Sequence, residues 1–211
     1  QLAMIVCKNN LQELWYQILL HMVLPLKECV GLKKVLKLAT LIKETLLTQI
    51  PYNFLFLLMI KIVKTTVKDA FLLSKLSVET FLPAHGHAAS KEIMDNYIAN
   101  NFNEENFVKE LSNPNYQYHL IYYKNEIAGF SKVIFNTENE NLEHKNVTKM
   151  ERLYLKKEFY NLKLGKELMD FNIKLCKENK QSGVWLYVWV ENHKAINFYK
   201  KVGFTQAATY N

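Results

Sequence analysis

Residues 150–169 read MERLYLKKEFYNLKLGKELM, and the order of elements they predict decides the fold class. The segment KMERLYL at 149–155 predicts a strand. Apolar side chains then recur at the spacing of one helix face, at Leu164, Leu168, Phe171 and Leu175. The near-continuous apolar run GVWLYVWV at 183–190 predicts a second strand, buried on both faces as in a parallel sheet. Strand, helix and strand in this order predict a βαβ unit and an α/β fold.

The loop before this helix is basic, because four lysines lie in or beside it: Lys156, Lys157, Lys163 and Lys166. A helix start presents free N–H groups and the positive end of its dipole, so a polyphosphate would be attracted there. Many βαβ units have basic helix starts, and the pattern alone is therefore weak support for a phosphate site.

The preceding chain alternates between strands and capped helices. Residues 60–63 predict a strand, and Thr66 with Asp69 predicts a capping box that starts a helix extending to about Phe81. Ser90 and Asn103 predict the caps of two further helices.

A hairpin and a final helix complete the pattern. Strands at 116–123 and 127–135 lie close enough in sequence to predict an antiparallel hairpin, and the polar run at 136–145 predicts a loop. The segment ENHKAINFYKKVGF at 191–204 predicts a helix that ends at Gly203.

Composition disfavours several classes of protein. The chain has 27 Lys+Arg against 20 Asp+Glu, but Arg152 is its single arginine, which disfavours nucleic-acid readout by bidentate contacts. The apolar run from Leu14 to Leu32 is too interrupted by polar residues for a membrane span. Three scattered cysteines predict neither a disulfide framework nor a metal site and fit a reducing cytoplasm.

The composition and the pattern of the sequence change near residue 59. Residues 1–58 are rich in Leu and Lys with few turn signals and predict a helical extension, whereas the motifs lie in 59–211. Met59 is a candidate natural start, with 1–58 as upstream read-through or an unrelated extension; the alternative is a helical appendage that packs on the domain.

Three blocks resemble the GNAT (Gcn5-related) N-acetyltransferases. They are LSVETF at 76–81 with HLIYYKNEIAGFSKV at 119–133, the quoted segment at 150–169, and VWLYVWVENHKAINFYKKVGF at 184–204. The last block is the most specific, and together the blocks look most similar to the bacterial spermine/spermidine acetyltransferase branch. The resemblance implies a mixed central sheet flanked by helices and acetyl-CoA as the co-substrate.

The resemblance also implies a CoA site. In this family two parallel strands, here 149–155 and 183–190, splay apart, and the pantetheine arm bonds to the exposed backbone of the first. The pyrophosphate loop falls on 160–165, Asn192 would bond the pantetheine arm, and Lys201 would reach a CoA phosphate. The complete set implied for CoA is Leu153, Tyr154, Leu155, Tyr160, Asn161, Leu162, Lys163, Leu164, Gly165, Lys166, Asn192 and Lys201.

Two loop positions depart from the family pattern Gln/Arg-x-x-Gly-x-Gly/Ala. Tyr160 replaces the polar residue, a loss of about 1–2 kcal/mol of binding, and Lys163 places a β-carbon where glycine permits close approach. We expect weakened CoA binding rather than none.

Catalytic and acceptor residues follow from the same resemblance. Tyr199 matches the general acid, Glu151 the carboxylate that accepts the ammonium proton, and Leu155 N–H the oxyanion donor. Glu79, His85 and His87 lie where the family binds its acceptor. The alternatives are that Tyr199 is a core tyrosine, that Glu151 is a solvated glutamate, and that His85 and His87 are loop residues without a chemical role. The H-x-H spacing lacks a third ligand and so does not predict a zinc site.

The expected activity is acetyl transfer to a primary amine of a small molecule, such as spermidine. The alternatives are a protein or peptide amine as acceptor, a non-catalytic acyl-CoA-binding or regulatory module, and a nonfunctional truncated product. The family's last strand lies beside 183–190, and the sequence ends at Asn211 before a matching segment. A truncated C-terminal strand, an open sheet edge and association, for example as a homodimer, are therefore expected.

Overall fold

A computed structural model describes residues 2–7, 56, 59–86 and 89–210. The described residues 2–7, 60–86 and 89–210 belong to one compact unit. Most of the extension predicted as helical lies outside the described residues. No described helix is both long and apolar enough to cross a membrane.

A seven-stranded sheet forms the centre, with the spatial order β2-β3-β4-β5-β6-β1-β7. Its strands are β1 Leu2–Cys7, β2 Ile60–Lys64, β3 Tyr116–Tyr123, β4 Glu126–Ile134, β5 Val147–Leu155, β6 Gly183–Trp189 and β7 Phe204–Tyr210. Only the β5–β6 pair is parallel, and the other pairs are antiparallel. The predicted hairpin, loop and βαβ unit are therefore confirmed.

Among the described residues, five α-helices cover the two faces of the sheet: α1 Ala70–His85, α2 Lys91–Asn101, α3 Glu104–Leu111, α4 Leu164–Glu178 and α5 His193–Lys201. On one face, α1 to α3 bury residues such as Leu73 and Phe107 against Tyr118 and Phe130. On the other face, Met169 of α4 lies in a second core with Val133, next to side chains of α5. Neighbouring strand residues point to opposite faces, so each strand contributes to both cores.

The helix starts follow the sequence. Thr66 N–H donates to Asp69 Oδ2 at 2.7 Å, which closes the predicted capping box, here on a short 3-10 turn before α1. Ser90 Oγ and Asn103 Oδ1 accept from the third residue of α2 and α3. Helix α1 continues past Phe81 to His85.

The two ends of the described chain correct the prediction. Leu2–Cys7 is a strand rather than part of a helical extension, and it lies between β6 and β7. Leu2 pairs with Trp189 of β6 and with Tyr210 of β7. The expectation of an open edge on β6 is wrong because β1 covers it, and Phe204–Tyr210 form strand β7, where the sequence predicted no matching segment.

Candidate active site

The strands β5 and β6 pair only at their first three residues. The partners are Val147 with Gly183, Thr148 with Val184, and Lys149 with Trp185. Beyond them β5 continues to Leu155 and β6 to Trp189, and no pairing joins the two within the described chain. The strands therefore splay, as the resemblance implied, and leave a cleft between their C-terminal ends.

Bonds to β4 decide which backbone groups of β5 face this cleft. Lys156 N–H donates to Ala128 O at 2.9 Å, and Gly129 stands opposite Leu155. Only alternate residues of an antiparallel strand bond to a given neighbour. Leu153 and Leu155 therefore direct their N–H and C=O groups away from β4 and into the cleft. The backbone of Tyr154 is turned toward β4, so the contact implied for it with the pantetheine arm is not supported.

Gly129 permits this close pairing of β4 and β5. A β-carbon at Gly129 would lie 2.1 Å from Tyr154 O, a distance that no side chain can relieve. Glycine is thus required at this position by packing, and it holds the cleft-lining part of β5 in place.

The loop between β5 and α4 forms its turn without the family's central glycine. Asn161 has φ 65° and Lys163 has φ 58°, and both lie in the left-handed region. Asn tolerates this conformation, whereas Lys adopts it at a cost of about 1 kcal/mol. Lys163 thus takes the conformation for which glycine is suited, which the sequence alone did not show.

Backbone donors remain available at this turn. After Tyr160, the next backbone N–H groups that donate to a described backbone oxygen are those of Lys166 and Glu167, and both donate to Lys163 O. A β-carbon at Gly165 would meet nothing closer than Leu155 Cδ1 at 3.7 Å, so packing within the described chain leaves room there. The start of α4 can therefore present N–H groups to an anion.

The lysines around the loop differ in what they contact. Lys156 pairs with Glu79 at 3.0 Å, and Lys166 pairs with Asp170. Lys163 and Lys157 have no ion pair with a described residue. These two lysines keep their charge for a ligand.

Helix α5 brings one more lysine to the loop. Lys194 Nζ lies 4.7 Å from the ring centroid of Tyr160. Lys201, which the resemblance assigned to a CoA phosphate, lies seven residues further along the same helix, about 10 Å along its axis. Sequence reasoning missed Lys194, although Lys194 and Lys201 share a helix face.

Tyr199 lies on the same helix and packs between aromatic rings. Its ring centroid is 5.3 Å from Phe198 and 5.7 Å from Phe204. Burial raises the pKa of Tyr199 to about 12, so the hydroxyl stays protonated at neutral pH, as a general acid must. Asn192 caps α5, because its Oδ1 accepts from Ala195 N–H at 3.0 Å.

Glu151 occupies a bulge in β5. The β4–β5 register shifts between Lys132 and Val133, which pair with Arg152 and Met150 and leave Glu151 without a partner on β4. Its Oε2 binds Lys132 Nζ, and its Oε1 binds Lys149 Nζ at 3.0 Å. Both carboxylate oxygens are therefore already occupied by lysines.

The same lysine joins Glu151 to a larger buried network. The Lys132 side chain is 2% exposed and also pairs with Glu110 at 2.9 Å. Arg152 donates to the Tyr118 hydroxyl at 3.0 Å, and that hydroxyl donates to Glu110. We call Glu110, Tyr118, Lys132, Lys149, Glu151 and Arg152 the ion-pair network.

The network changes the role expected for Glu151. Burial raises the pKa of Glu151, but the charges and hydrogen bonds of Lys132 and Lys149 outweigh burial and lower it to about 2. A base works best with a pKa near the working pH. These contacts argue against the predicted proton acceptor, and Glu151 instead holds the β5 bulge against α3.

The C-terminal end of α1, where the resemblance predicted the acceptor residues, lies beside Tyr154 of β5. His85 Nε2 lies 3.5 Å from the Tyr154 hydroxyl, and the ring of His85 lies 4.9 Å from that of Phe81. Phe81 in turn stacks on Tyr97 of α2 at 5.1 Å. We call these four side chains the aromatic wall.

Tyr199 belongs to the same neighbourhood. Burial is the main cause of the raised pKa of Tyr154, and the hydroxyls of Tyr97 and Tyr199 add to it. Glu79, predicted as an acceptor ligand, is engaged by Lys156, and His87 lies outside the described residues. The structure thus brings His85 together with Tyr154, whereas Tyr199 packs with Leu153 of β5 against the other core and Glu151 belongs to the ion-pair network.

Comparison with known proteins agrees with this arrangement. The Acetyltransferase (GNAT) family profile matches residues 77–204. An uncharacterised N-acetyltransferase encoded in the pepI 3' region of Lactobacillus delbrueckii subsp. lactis is 32% identical over 148 residues, 70% of this chain and 85% of the relative. The chain belongs to the Acetyltransferase (GNAT) family and is an acetyl-CoA-dependent N-acetyltransferase.

Two solved structures show the same fold. The PaiA N-acetyltransferase from Thermoplasma acidophilum, in complex with coenzyme A, matches with a TM-score of 0.62 and 24% identity over 72% of this chain and 93% of that one. The aminoglycoside acetyltransferase meta-AAC0020 from an uncultured soil metagenomic sample, in complex with trehalose, matches with a TM-score of 0.54 and 17% identity over 72% and 91%.

The cleft fits acetyl-CoA by the chemistry of its donors. Leu153 and Leu155 offer backbone groups of the kind that an amide-containing pantetheine arm needs. The start of α4 offers N–H groups, and Lys163, Lys157 and Lys194 offer positive charge for phosphates.

Proposed function

We propose that the protein transfers the acetyl group of acetyl-CoA to a primary amine of a small molecule. The observation that carries the proposal is the cleft where β5 leaves β6. Unpaired backbone groups of β5 line this cleft, the basic start of α4 follows it, and Tyr199, which is protonated at neutral pH, packs against the same core as Leu153 of β5.

The reaction is direct attack of the amine on the thioester. The amine nitrogen bonds to the carbonyl carbon, and Leu155 N–H donates to the oxygen on which negative charge develops. The carbon–sulfur bond then breaks, and Tyr199 donates its proton to the leaving thiolate. The proton released by the nitrogen passes to a base, and Tyr199 recovers a proton from solvent.

We assign the base to His85 in place of Glu151. His85 Nε2 lies 3.5 Å from the hydroxyl of Tyr154 on β5, whereas both oxygens of Glu151 are bound by lysines. An imidazole ionises near neutral pH and suits proton acceptance from an ammonium group.

The acceptor side is aromatic more than acidic. A polycation such as spermidine needs several carboxylates, and Glu79 is already paired with Lys156. Tyr97 is the exposed ring of the aromatic wall, at 43%, and it can attract one ammonium group and cover an apolar body, while Phe81 is buried against it. The wall therefore favours an amine with one cationic end and an apolar or aromatic body, whereas the resemblance alone favours a polyamine.

A second candidate is a non-catalytic acyl-CoA-binding module. Two features favour it: the strained backbone of Lys163 and the replacement of the family's polar residue by Tyr160. Such a module would bind acetyl-CoA without turning it over.

The test combines binding and turnover on the full chain. Calorimetric titration with acetyl-CoA comes first, followed by a thiol-release assay with phenethylamine, spermidine and a short peptide as separate acceptors. We expect micromolar binding, turnover that is fastest with phenethylamine, and loss of turnover but not binding in Tyr199→Phe. Binding without turnover on any acceptor supports the module, and faster turnover of spermidine or the peptide overturns the acceptor class.

His85 has its own test. His85→Gln keeps a polar side chain but cannot accept a proton, so we expect kcat/KM to fall about 100-fold at pH 7. The loss should shrink toward pH 10, where the free amine is itself deprotonated. Glu151→Gln is the comparison, and a base role for Glu151 would give it the same pH-dependent loss.

A further inference from the structure

Tyr160 connects the loop before α4 to the start of α5. It lies directly after the short 3-10 turn at Lys157–Phe159, and α4 begins four residues later at Leu164. The centroid of its half-buried ring lies 4.7 Å from Nζ of Lys194, the second residue of α5. A cation at this distance is attracted to the face of an aromatic ring. The ammonium of Lys194 is therefore held beside the loop, although α5 belongs to a later part of the chain.

Lys194 is an unfavourable residue for its own helix. The first turn of α5 contains no carboxylate, and Lys194 places an ammonium at the positive end of the helix dipole. Lysine suits the opposite end, where Lys200 and Lys201 stand. Lys194 also has no ion pair with a described residue. Its charge is thus not explained by the stability of α5.

A second lysine at this loop is also disfavoured by its local structure. Lys163 has the left-handed φ of 58° and stands directly before Leu164, the first residue of α4. Like Lys194, it has no ion pair with a described residue. One charge comes from the loop itself and the other from α5, and neither has a compensating carboxylate. Residues that violate local rules without a structural gain are typical of functional sites.

The start of α4 adds hydrogen-bond donors to these two charges. Between Tyr160 and Lys166, no backbone N–H group of the loop donates to a described backbone oxygen. Free N–H groups at a helix start bind phosphates. The side chain of Tyr160 offers no positive charge of its own, so the charge at this position comes from Lys194. The pyrophosphate of acetyl-CoA carries two negative charges, which the two lysines would balance.

We propose that Tyr160 and Lys194 act as a pair that binds the pyrophosphate of acetyl-CoA. The ring of Tyr160 positions the ammonium of Lys194 at the loop, and this ammonium adds to the N–H groups of α4 and to the charge of Lys163. The pair thereby brings the starts of two helices to one anion. The role of the pair depends on the proposed binding of acetyl-CoA in the cleft between β5 and β6.

Calorimetric titration of the full chain with acetyl-CoA at constant ionic strength tests the pair. Lys194→Gln should weaken binding about tenfold, the loss expected for one charged contact to a phosphate. Lys177→Gln is the matched control, because it removes the same charge at the other end of α4, about 20 Å along the helix from Leu164. Its affinity should stay within about twofold of the parent, since salt screens a charge at that distance.

Three substitutions at position 160 separate the ring from the charge, with the melting temperature confirming that each variant folds. Tyr160→Leu frees the ammonium, so it should weaken binding about tenfold, and adding Lys194→Gln should cost less than about twofold more. Tyr160→Phe keeps the ring and should bind at least about fivefold more tightly than Tyr160→Leu. Tyr160→Arg places a charge on the loop itself and should recover most of the affinity that Lys194→Gln loses.

A second ligand identifies the phosphate. Dephospho-acetyl-CoA lacks the phosphate on the ribose but keeps the pyrophosphate, so Lys194→Gln should weaken its binding by the same factor of about ten. The proposal is overturned if Lys194→Gln binds acetyl-CoA as well as the parent, if Tyr160→Phe is as weak as Tyr160→Leu, or if the loss disappears with dephospho-acetyl-CoA. A parent chain that does not bind acetyl-CoA at all would contradict the proposed function, and the role of the pair would fail with it.

Discussion

At the scale of single residues, Lys163 combines an unfavourable backbone conformation with a useful charge. Replacing it by glycine relieves the left-handed conformation at φ 58°. We expect Lys163→Gly to raise the free energy of unfolding by about 0.5–1 kcal/mol, measured by urea denaturation. Asn161→Gly is the control at φ 65°, and it should change stability little because Asn already tolerates this region.

The charge of the same lysine is tested separately. Lys163→Gln keeps the β-carbon and the strain, so its stability should equal that of the parent, while its affinity for acetyl-CoA should fall severalfold. If Lys163→Gly and Lys163→Gln have the same stability, the left-handed conformation carries no cost and the explanation of the loop is incorrect.

Tyr199 gives a prediction about pH. A general acid contributes about 100-fold or more to rate, so Tyr199→Phe should lower kcat by at least that factor and leave acetyl-CoA affinity unchanged. Because the pKa of Tyr199 is raised to about 12, its protonated form persists through the alkaline range. On the alkaline side the parent enzyme should therefore keep its kcat up to about pH 10; a fall in kcat near pH 9 would mean that another group donates the proton.

At the scale of elements, the ion-pair network fastens β4 and β5 to α3. The pKa of Glu151 is depressed from 4.5 to about 2, so its contribution to stability is complete above about pH 5 and is lost as the pH falls toward 2. The depression corresponds to a stabilisation on the order of 3 kcal/mol for this mostly buried carboxylate. Glu151→Gln should remove that part of the acid dependence, measured by denaturation at pH 7 and pH 3.

A double-mutant cycle measures the interaction energy between Glu151 and Lys132. Glu151→Gln leaves Lys132 buried with one acidic partner fewer, and we expect a cost of about 3 kcal/mol at pH 7. Adding Lys132→Met removes the buried charge, so the two costs should not add. Additive costs would show that the two side chains do not interact.

The elements also show how far sequence reasoning reaches. The strands around 149–155 and 183–190 and the caps at Thr66, Ser90 and Asn103 were predicted because each depends on local pattern. The ion pair of Glu151 with Lys132 was missed because Lys132 is close to it only through strand pairing and a bulge. The left-handed turn at Lys163 was missed because no glycine marks it.

At the scale of the whole molecule, β1 was missed for a different physical reason. The run LAMIVC at Leu2–Cys7 is short and apolar, and such a run fits a buried strand as well as a helix turn. Its partners, β6 and β7, begin at Gly183 and Phe204, so no local signal connects them to it. The strand separates β6 from β7, and these two form no direct pair among the described strands.

The position of β1 predicts that the sheet depends on it. Val6 is paired on both sides, with Trp185 of β6 and Thr205 of β7, so its N–H group lies within a central ladder. Proline there removes that donor and is not tolerated in a central strand. We expect Val6→Pro to lower the free energy of unfolding by about 2–4 kcal/mol, whereas Val6→Ile, which stays β-branched, should change it by less than about 1 kcal/mol.

The same variant tests what β1 prevents. Loss of β1 pairing exposes unpaired N–H and C=O groups on both β6 and β7, and open strand edges associate with other chains. Val6→Pro should therefore form concentration-dependent oligomers in sedimentation velocity at concentrations where Val6→Ile does not. Proline at position 6 cannot leave the hydrogen bonds of β1 intact. If Val6→Pro is nevertheless as stable as Val6→Ile and does not associate, then β6 and β7 keep their places in the sheet without β1.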